Sequence, residues 1–283
     1  MQTAAGTAWP ERRVTVLCDN TAGRPDLGAE WGLSLALDLG PGDGGGLWLW
    51  DTGQSGLFLK NAALLGVDVT RARGLALSHG HYDHTGGIDA LFAAGFAGRV
   101  HAHPACAWER YAEEPDGRPR RPIGPPHPLP GIVAVDKTAR LAPGLTMLAD
   151  IPRLPGRFQA VGQFSRDLAG TTPDPTPDDA FLVLETASGP VAVLGCCHSG
   201  LANSLACARQ RLGIESFHAV LGGLHLFAAG ETAVRETAEA LREFRVERLV
   251  AGHCSGRDRV ASLRGLVPDC EVHDLSAGQT WIF

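Results

Sequence analysis

The chain has 283 residues, of which 44% are apolar and 20% are charged, and its formal net charge is −6. This composition is typical of a globular protein and excludes a disordered chain, a collagen-like chain and a coiled coil. The small excess of acidic residues gives no reason to expect a nucleic-acid partner held by bulk charge. The length favours a single α/β domain.

The sequence contains no apolar run long enough to cross a bilayer. Residues 1–10 lack the charged and apolar regions of a secretory signal. The seven cysteines have no regular spacing, which argues against a disulfide framework and for a reducing compartment. We therefore expect a cytoplasmic protein without a membrane partner.

Apolar runs between turn signals predict the elements of the first part of the chain. In order, these are strands at 14–18, 33–39 and 47–50, a helix at about 55–66, a strand at 75–77, a helix at 88–94 and a strand at 99–102. The later part predicts strands at 181–184, 191–194, 219–221 and 248–251, helices at 201–212, 231–244 and 258–266, and two terminal strands. Strands outnumber helices, which favours two sheets that face each other with helices outside.

The segment 78–87 reads SHGHYDHTGG and contains the run His79, His81, Asp83 and His84. Neutral imidazoles and carboxylates are ligands that Zn²⁺ prefers in proteins. The first two histidines end a strand and can project toward one metal ion, whereas Asp83 and His84 lie further on and can face a second. The alternative is a solvated histidine-rich loop, but the apolar strand before the run favours metal binding.

Two more histidines follow apolar strands at glycine-rich loops, His198 in GCCHSG and His253 in AGHCSG. Either one alone would more often be a structural residue. Three such junctions at one sheet edge have the geometry of an active site, so we expect both to complete a binuclear metal site. Two Zn²⁺ ions per chain are the first expectation, and Mn²⁺ or Fe²⁺ remain alternatives for a site of nitrogen and oxygen ligands.

The run from His79 to His84 resembles the metal motif of the metallo-β-lactamase superfamily. That resemblance implies a four-layer αβ/βα sandwich, with two mixed sheets face to face and helices outside. The runs LWLWDTGQSGLFLKNAALLGVDV, LALSHGHYDHTGG, GCCHSG, GGLHL and AGHCSG are similar to one branch, the 7,8-dihydropterin-6-methyl-4-(β-D-ribofuranosyl)aminobenzene-5'-phosphate synthase-like proteins. Most members of this branch are called metal-dependent hydrolases. The resemblance covers nearly the whole chain and implies one domain, 1–283, with a proline-rich insertion at about 104–178 that partly covers the metal site.

The chain departs from the usual superfamily pattern at the third motif, because no histidine lies shortly before the strand at 181–184. The position that resembles the bridging aspartate reads Gly195-Cys196. We infer that His198 replaces the missing ligand. A thiolate is a good zinc ligand, but for Cys196 we favour a small buried residue that is not essential for the metal. The resemblance also implies that Asp51 supports the metal loop, as a carboxylate that holds an imidazole N–H does in such sites.

The resemblance implies a hydrolase in which a metal-bound hydroxide, oriented by Asp83, attacks a small ester, lactone or phosphate-containing substrate. His225, in GGLHL at another strand end, is expected to contact the substrate or to polarise a leaving group, with a structural histidine as the alternative. Three other functions remain open. They are a transferase of the synthase type that displaces a pyrophosphate, a metal-bound ligand sensor with little turnover, and a diiron redox enzyme.

We expect a small-molecule substrate, and the oligomeric state is left open. Six arginines, within and after the proline-dense stretch 115–130, can hold an anionic group of the substrate, although solvated surface charge is favoured for them: Arg118, Arg120, Arg121, Arg153, Arg157 and Arg166. Seven of the sixteen residues from 115 to 130 are proline, so no regular structure is expected there. We predict that residues 113–130 form a mobile flap over the metal edge that is dispensable for folding.

Overall fold

The computed structural model describes residues 9–42, 44–114, 118–162 and 164–283. Predictions that fall on residues 1–8, 43, 115–117 and 163 lie outside the described residues. The strands are β1 (Arg13–Cys18), β2 (Ser34–Asp38), β3 (Leu47–Trp50), β4 (Gly74–Ala76), β5 (Arg99–Ala102), β6 (Tyr111–Ala112), β7 (Arg121–Pro122), β8 (Ile132–Ala134), β9 (Thr138–Ala142), β10 (Leu145–Leu148), β11 (Phe164–Ser165), β12 (Phe181–Leu184), β13 (Val191–Leu194), β14 (Ala219–Gly223), β15 (Arg248–Gly252), β16 (Glu271–Asp274) and β17 (Thr280–Ile282). The α-helices are α1 (Leu57–Leu64), α2 (Tyr82–Thr85), α3 (Ile88–Ala93), α4 (Leu201–Leu212), α5 (Glu231–Glu243) and α6 (Arg257–Leu266).

Two mixed sheets form the centre of the described chain. Their strand orders are β17-β1-β2-β3-β4-β5-β8 and β16-β15-β14-β13-β12-β10-β9. One buried cluster, which includes Trp50, Leu182 and Val250, fills the space between the sheets. A second buried cluster lies between the first sheet and helices α1 and α3. A third lies between the second sheet and helices α4 to α6. The predicted four-layer αβ/βα sandwich is confirmed.

The functional loops lie at the ends of parallel strands. In the first sheet β3, β4 and β5 run parallel, and in the second sheet β13, β14 and β15 do so. The two sheets are joined near these ends, because the Trp50 indole N–H donates to the Leu194 carbonyl at 3.0 Å. The carboxyl ends of β3 and β4 therefore meet those of β13, β14 and β15 at one edge of the sandwich.

The sequence patterns predict most of this architecture. The bounds of β3, β5, β12, β13 and α4 are the predicted ones. Strands β8, β9 and β10 were not predicted. Two of them, β8 and β9, are edge strands whose residues are mostly exposed or half-buried, so they lack the strong apolar run that marks β12 and β13.

The proline-rich segment contains regular structure, so the prediction of none between 115 and 130 is wrong. Strand β7 pairs with β6, which also pairs with β11, in a small third sheet. The next residue, Ile123, is only 4% exposed. Its N–H donates to the Arg110 carbonyl at 2.8 Å, and its own carbonyl accepts the Tyr82 N–H at 2.9 Å. This part of the segment is therefore anchored beside the metal motif.

No helix in the described part of the chain combines the length and the apolar character that a membrane span requires.

Candidate metal centre

All six predicted ligands lie at the shared edge of the two sheets, and they form two adjoining groups. In the first group, one ligand atom each of Asp83, His84, Cys196 and His253 lies within 4.8 Å of all the others. In the second group, the same is true of His79, Cys196 and His198. His81 adjoins the second group through its Nδ1, which lies 3.0 Å from the His79 Nε2.

Asp51 orients the rings of the first motif, as the resemblance implied. Its carboxylate accepts the Ser78 N–H and the Ser78 hydroxyl, both at 2.7 Å, and it lies 2.7 Å from the His84 Nδ1. The same hydroxyl lies 2.8 Å from the His79 Nδ1. Because that hydroxyl donates to Asp51, it accepts from His79. Both imidazoles therefore carry their proton on Nδ1 and turn the lone pair of Nε2 toward the centre.

His198 and His253 are oriented in the same way by neutral acceptors. The His198 Nδ1 lies 2.8 Å from the Ala160 carbonyl, which can only accept. The His253 Nδ1 lies 3.0 Å from the Asn20 Oδ1. The amide of Asn20 is itself fixed, because its Nδ2 donates to the His253 carbonyl at 3.1 Å. Each ring thus has an outer nitrogen that donates and an Nε2 that faces the other ligands.

These contacts fit a metal centre better than a hydrogen-bonded cluster. The Nε2 atoms of His79 and His198 lie 3.2 Å apart, and those of His84 and His253 also lie 3.2 Å apart. Facing lone pairs of this kind repel each other unless a cation or a proton lies between them. The donor set of imidazole, carboxylate and thiol is the one that Zn²⁺ prefers.

Burial favours neutral imidazoles in the second group. It lowers the pKa of His79 and His81 well below the ordinary value, and the neighbouring imidazoles lower them further. Burial also lowers the pKa of His198 to about 3. At neutral pH these three rings are uncharged, which is the form that binds a metal ion.

The Cys196 side chain lies closer to the candidate ligands than the sequence analysis expected. It is buried, as expected, but its Sγ does not merely pack against the sheet. The Sγ lies 3.1 Å from the His84 Nε2 and 3.3 Å from the His253 Nε2, and it belongs to both groups of candidate ligands. The preceding residue must be glycine, since a Cβ at Gly195 would lie 2.2 Å from the Ser78 Oγ. The close approach of the two sheets at Gly195 brings Cys196 between the groups.

Asp83 is the acidic member of the first group. Its Oδ2 lies 3.4 Å from the His253 Nε2 and 3.7 Å from the His84 Nε2. Burial would raise the pKa of this carboxyl, but His84 and His253 lower it below its ordinary value. Asp83 is therefore ionised at neutral pH.

His225 lies next to the centre but outside both groups. Its ring centroid is 4.5 Å from that of His198. Its backbone has a φ of 48°, and its N–H donates to the Cys254 Sγ at 3.3 Å. Burial, followed by the effect of His198, lowers its pKa to about 4. The ring is therefore a neutral imidazole that can donate one hydrogen bond to a bound molecule.

A buried ion-pair network that the sequence analysis missed holds the H-x-H loop. The Arg110 guanidinium contacts the Asp178 carboxylate at 2.5 and 2.8 Å and lies 2.8 Å from the Asp174 carboxylate. Asp178 also accepts the N–H of Gly80 at 2.8 Å, between the first two histidines of the motif. No pattern in the sequence indicates this network, because Arg110 is more than 60 residues away from both aspartates.

Most of the arginines considered for anion binding are engaged elsewhere. The three at 118–121 form ion pairs with neighbouring glutamates, Arg118 and Arg121 with Glu114 and Arg120 with Glu113. Arg153 donates to the carbonyls of Pro175 and Thr176, and Arg166 lies over the Trp108 ring. These contacts give no support to a cluster of arginines that faces the centre.

The fold and the edge site define a class of protein, and comparison with known families gives the same answer. The family model described as the metallo-beta-lactamase superfamily matches residues 39–253. The chain belongs to this superfamily.

Two relatives show what the chain is similar to within the superfamily. It is 27% identical over 209 residues to the 7,8-dihydropterin-6-methyl-4-(beta-D-ribofuranosyl)-aminobenzene-5'-phosphate synthase of Methanocaldococcus jannaschii, across 70% of this chain and 71% of that protein. The crystal structure of Tm1679, a metal-dependent hydrolase of the beta-lactamase superfamily, matches with a TM-score of 0.80 at 27% identity, across 95% of this chain and 98% of that one. YhfI from Bacillus subtilis matches with a TM-score of 0.58 at 15% identity, over 96% and 99% of the two chains, which shows the shared fold alone.

Proposed function

We propose that the protein is a binuclear metal-dependent hydrolase that acts on a small ester, lactone or phosphate-containing substrate. The observation that carries the proposal is the convergence of two groups of candidate ligands after the ends of three strands, β4, β13 and β15. The similarity to Tm1679, described as a metal-dependent hydrolase, supports it.

In this proposal, one Zn²⁺ ion is held by His79, His81 and His198 and the other by Asp83, His84 and His253. Cys196 can be shared between them, because its Sγ belongs to both groups. Such ions, when bound, supply Lewis-acid polarisation of a carbonyl or phosphoryl oxygen and lower the pKa of water to near neutrality. Mn²⁺ or Fe²⁺ would fit the same nitrogen and oxygen atoms.

Two residues of the chain have direct roles in the proposed reaction. Asp83, ionised at neutral pH, would orient the attacking water and pass its proton on to the leaving group. His225, a neutral imidazole beside His198, donates a hydrogen bond to the leaving group. Its pKa of about 4 makes it a hydrogen-bond donor rather than a strong acid at neutral pH.

We also propose that residues 1–283 form one domain and that the insertion at about 104–178 covers part of the centre. The Phe164 ring supports this, since its centroid lies 5.0 Å from that of His81 and 5.4 Å from that of His198. The substrate is a small molecule, and neither nucleic acid nor membrane is a partner in this proposal.

A second candidate is a transferase of the synthase type, in which a pyrophosphate is displaced and a bond is formed. The similarity to the Methanocaldococcus jannaschii synthase favours it. A ligand sensor with little turnover is a third candidate that the same metal centre would serve.

The test uses metal-loaded protein and three substrate types: an aryl phosphate diester, a lactone, and a pterin pyrophosphate supplied with an aromatic amine. We expect hydrolysis of the first or second, lost in Asp83→Asn. The matched control is Asp89→Asn, because Asp89 is an exposed aspartate on the next helix. Product formation only with the amine would favour the synthase, and no turnover of any substrate would favour the sensor.

A further inference from the structure

Five rings form a continuous arc around the metal centre, which we call the aromatic arc. Their centroids are separated by 4.5 Å from His198 to His225, 5.6 Å from His225 to Phe227, 5.8 Å from Phe227 to Trp31 and 5.6 Å from Trp31 to His253. The two end members are candidate ligands, one from each group. The arc therefore passes both proposed metal positions.

Two of the three inner members of the arc are exposed, unlike the rings at its ends. Trp31 is 43% and Phe227 46% exposed, whereas His198 and His253 are buried. Scattered apolar residues on a surface need no explanation. These two contact each other with their planes at 78°, so together they offer a ring face and a ring edge. Such a corner suits an aromatic ring, which prefers offset-stacked and edge-to-face contacts.

A cavity of about 260 Å³ continues the arc beside His225. The segment 158–162, together with Ala228 and Ala229, completes its lining. None of these lining residues is an Asp, Glu, Lys or Arg. A charged group placed here would lose its hydration without gaining a partner, so the cavity favours an uncharged occupant.

We propose that the aromatic arc binds an uncharged planar ring of the substrate, stacked against Trp31 and Phe227 and extending toward the cavity beside His225. This inference rests on the proposed function, because the ring would place the reacting bond beside the two groups of ligands. It makes Trp31 and Phe227 specificity-determining residues. Substrates with a bulky saturated group or a charged group at this position bind less well.

The binding test needs no turnover. Zinc-loaded protein is titrated by calorimetry with 2-naphthylmethanol and, separately, with its saturated analogue decahydro-2-naphthylmethanol. We expect saturable binding of the flat compound and binding of the saturated one that is weaker by about tenfold. Phe227→Ala and Trp31→Ala should each weaken binding of the flat compound by about tenfold. Trp31→Phe should retain most of it.

The matched control is Leu64→Ala, which removes an equally exposed apolar side chain at the end of α1. It should leave the affinity unchanged. Equal affinity for the flat and saturated compounds, no saturable binding of the flat one, or no effect of either alanine variant would overturn the inference.

Turnover separates this inference from the proposed function. Aryl binding that depends on Trp31 and Phe227, in a protein that hydrolyses nothing, would uphold the aromatic site and reject the hydrolase. Hydrolysis of aryl and saturated alkyl esters with the same KM would uphold the hydrolase and reject the aromatic site.

Discussion

Replacing Asp51 with asparagine tests how the metal loop is held. The carboxylate accepts two hydrogen bonds from Ser78 and one from the Nδ1 of His84, all at 2.7 Å. Asp51 has a φ of 58°, and asparagine tolerates this left-handed region well. The substitution therefore keeps the backbone and the size of the side chain and removes only the charge and one acceptor oxygen.

The magnitude follows from the number of acceptors. An amide has one oxygen, so its NH₂ group must face either the Ser78 N–H or the Nδ1 of His84, and one donor loses its partner. Loss of a carboxylate that orients a ligand histidine typically costs 10–100-fold in metal affinity. This corresponds to about 1.4–2.7 kcal/mol. We expect the Zn²⁺ dissociation constant of Asp51→Asn to rise within that range.

The assay is competition for zinc with a chromophoric chelator, at one pH and salt concentration. The control is Ser34→Ala, because the Ser34 hydroxyl bonds the backbone carbonyl of Asp51 at 2.9 Å and leaves its carboxylate untouched. Unchanged zinc affinity in Asp51→Asn would refute the reasoning. An equal loss in Ser34→Ala would attribute the effect to the loop backbone instead of the carboxylate.

Three further predictions concern Cys196, the buried ion pair and the proline-rich segment. In cobalt-loaded protein, Cys196→Ser should abolish the near-ultraviolet sulfur-to-cobalt charge-transfer absorption, while His198→Ala should lower the cobalt content but keep that absorption. Asp178→Asn should lower the free energy of unfolding by about 3–5 kcal/mol in urea, because it leaves the Arg110 charge buried without its bidentate partner. Ile123→Ala should cost about 2–4 kcal/mol in the same assay, because its side chain is buried.

Two of these predictions have a control variant, and the third is checked by the pH dependence of stability. Cys270→Ser, away from the centre, should keep the cobalt absorption, and a wild-type spectrum without it would contradict the role of the thiol.

Burial would raise the pKa of Asp178, but Arg110 lowers it below its ordinary value. The stability that this carboxylate supplies is thus present above about pH 4 and is lost as the pH falls through the lowered pKa. In Asp178→Asn, the free energy of unfolding should therefore fall less steeply as the pH is lowered into this acid range. Pro126→Ala, at an exposed position, should change stability by less than about 0.5 kcal/mol, and a similar loss in both segment variants would contradict specific anchoring at Ile123.

The parts of the site that sequence could predict are those with a local signal. The histidines and the aspartate of the first motif are marked by their spacing, and His198 and His253 by the glycine loops after apolar strands. Because each of these loops directly follows an apolar strand, the sequence also predicts that they meet at one edge of the sheets. The fold was predictable for the same reason, since β12 and β13 are continuous apolar runs and α4 carries apolar residues at helical spacing.

The parts that sequence could not predict depend on contacts between distant segments. Asn20 orients His253 from 233 residues away. The carbonyl of Ala160 orients His198, and any residue could supply that group. The thiol of Cys196 faces both groups only because Gly195 lets the two sheets approach. None of these leaves a periodic or motif signal in the chain.

The central claim is that this edge of the sandwich holds two metal ions. It is tested most directly by anomalous diffraction at the zinc edge from crystals of protein produced with ample zinc and without chelator. The account predicts two peaks per chain at a separation of about 3.5–4 Å, one among Asp83, His84 and His253 and one among His79, His81 and His198. A single peak, or none, with less than about half an equivalent of any transition metal in elemental analysis, would contradict it.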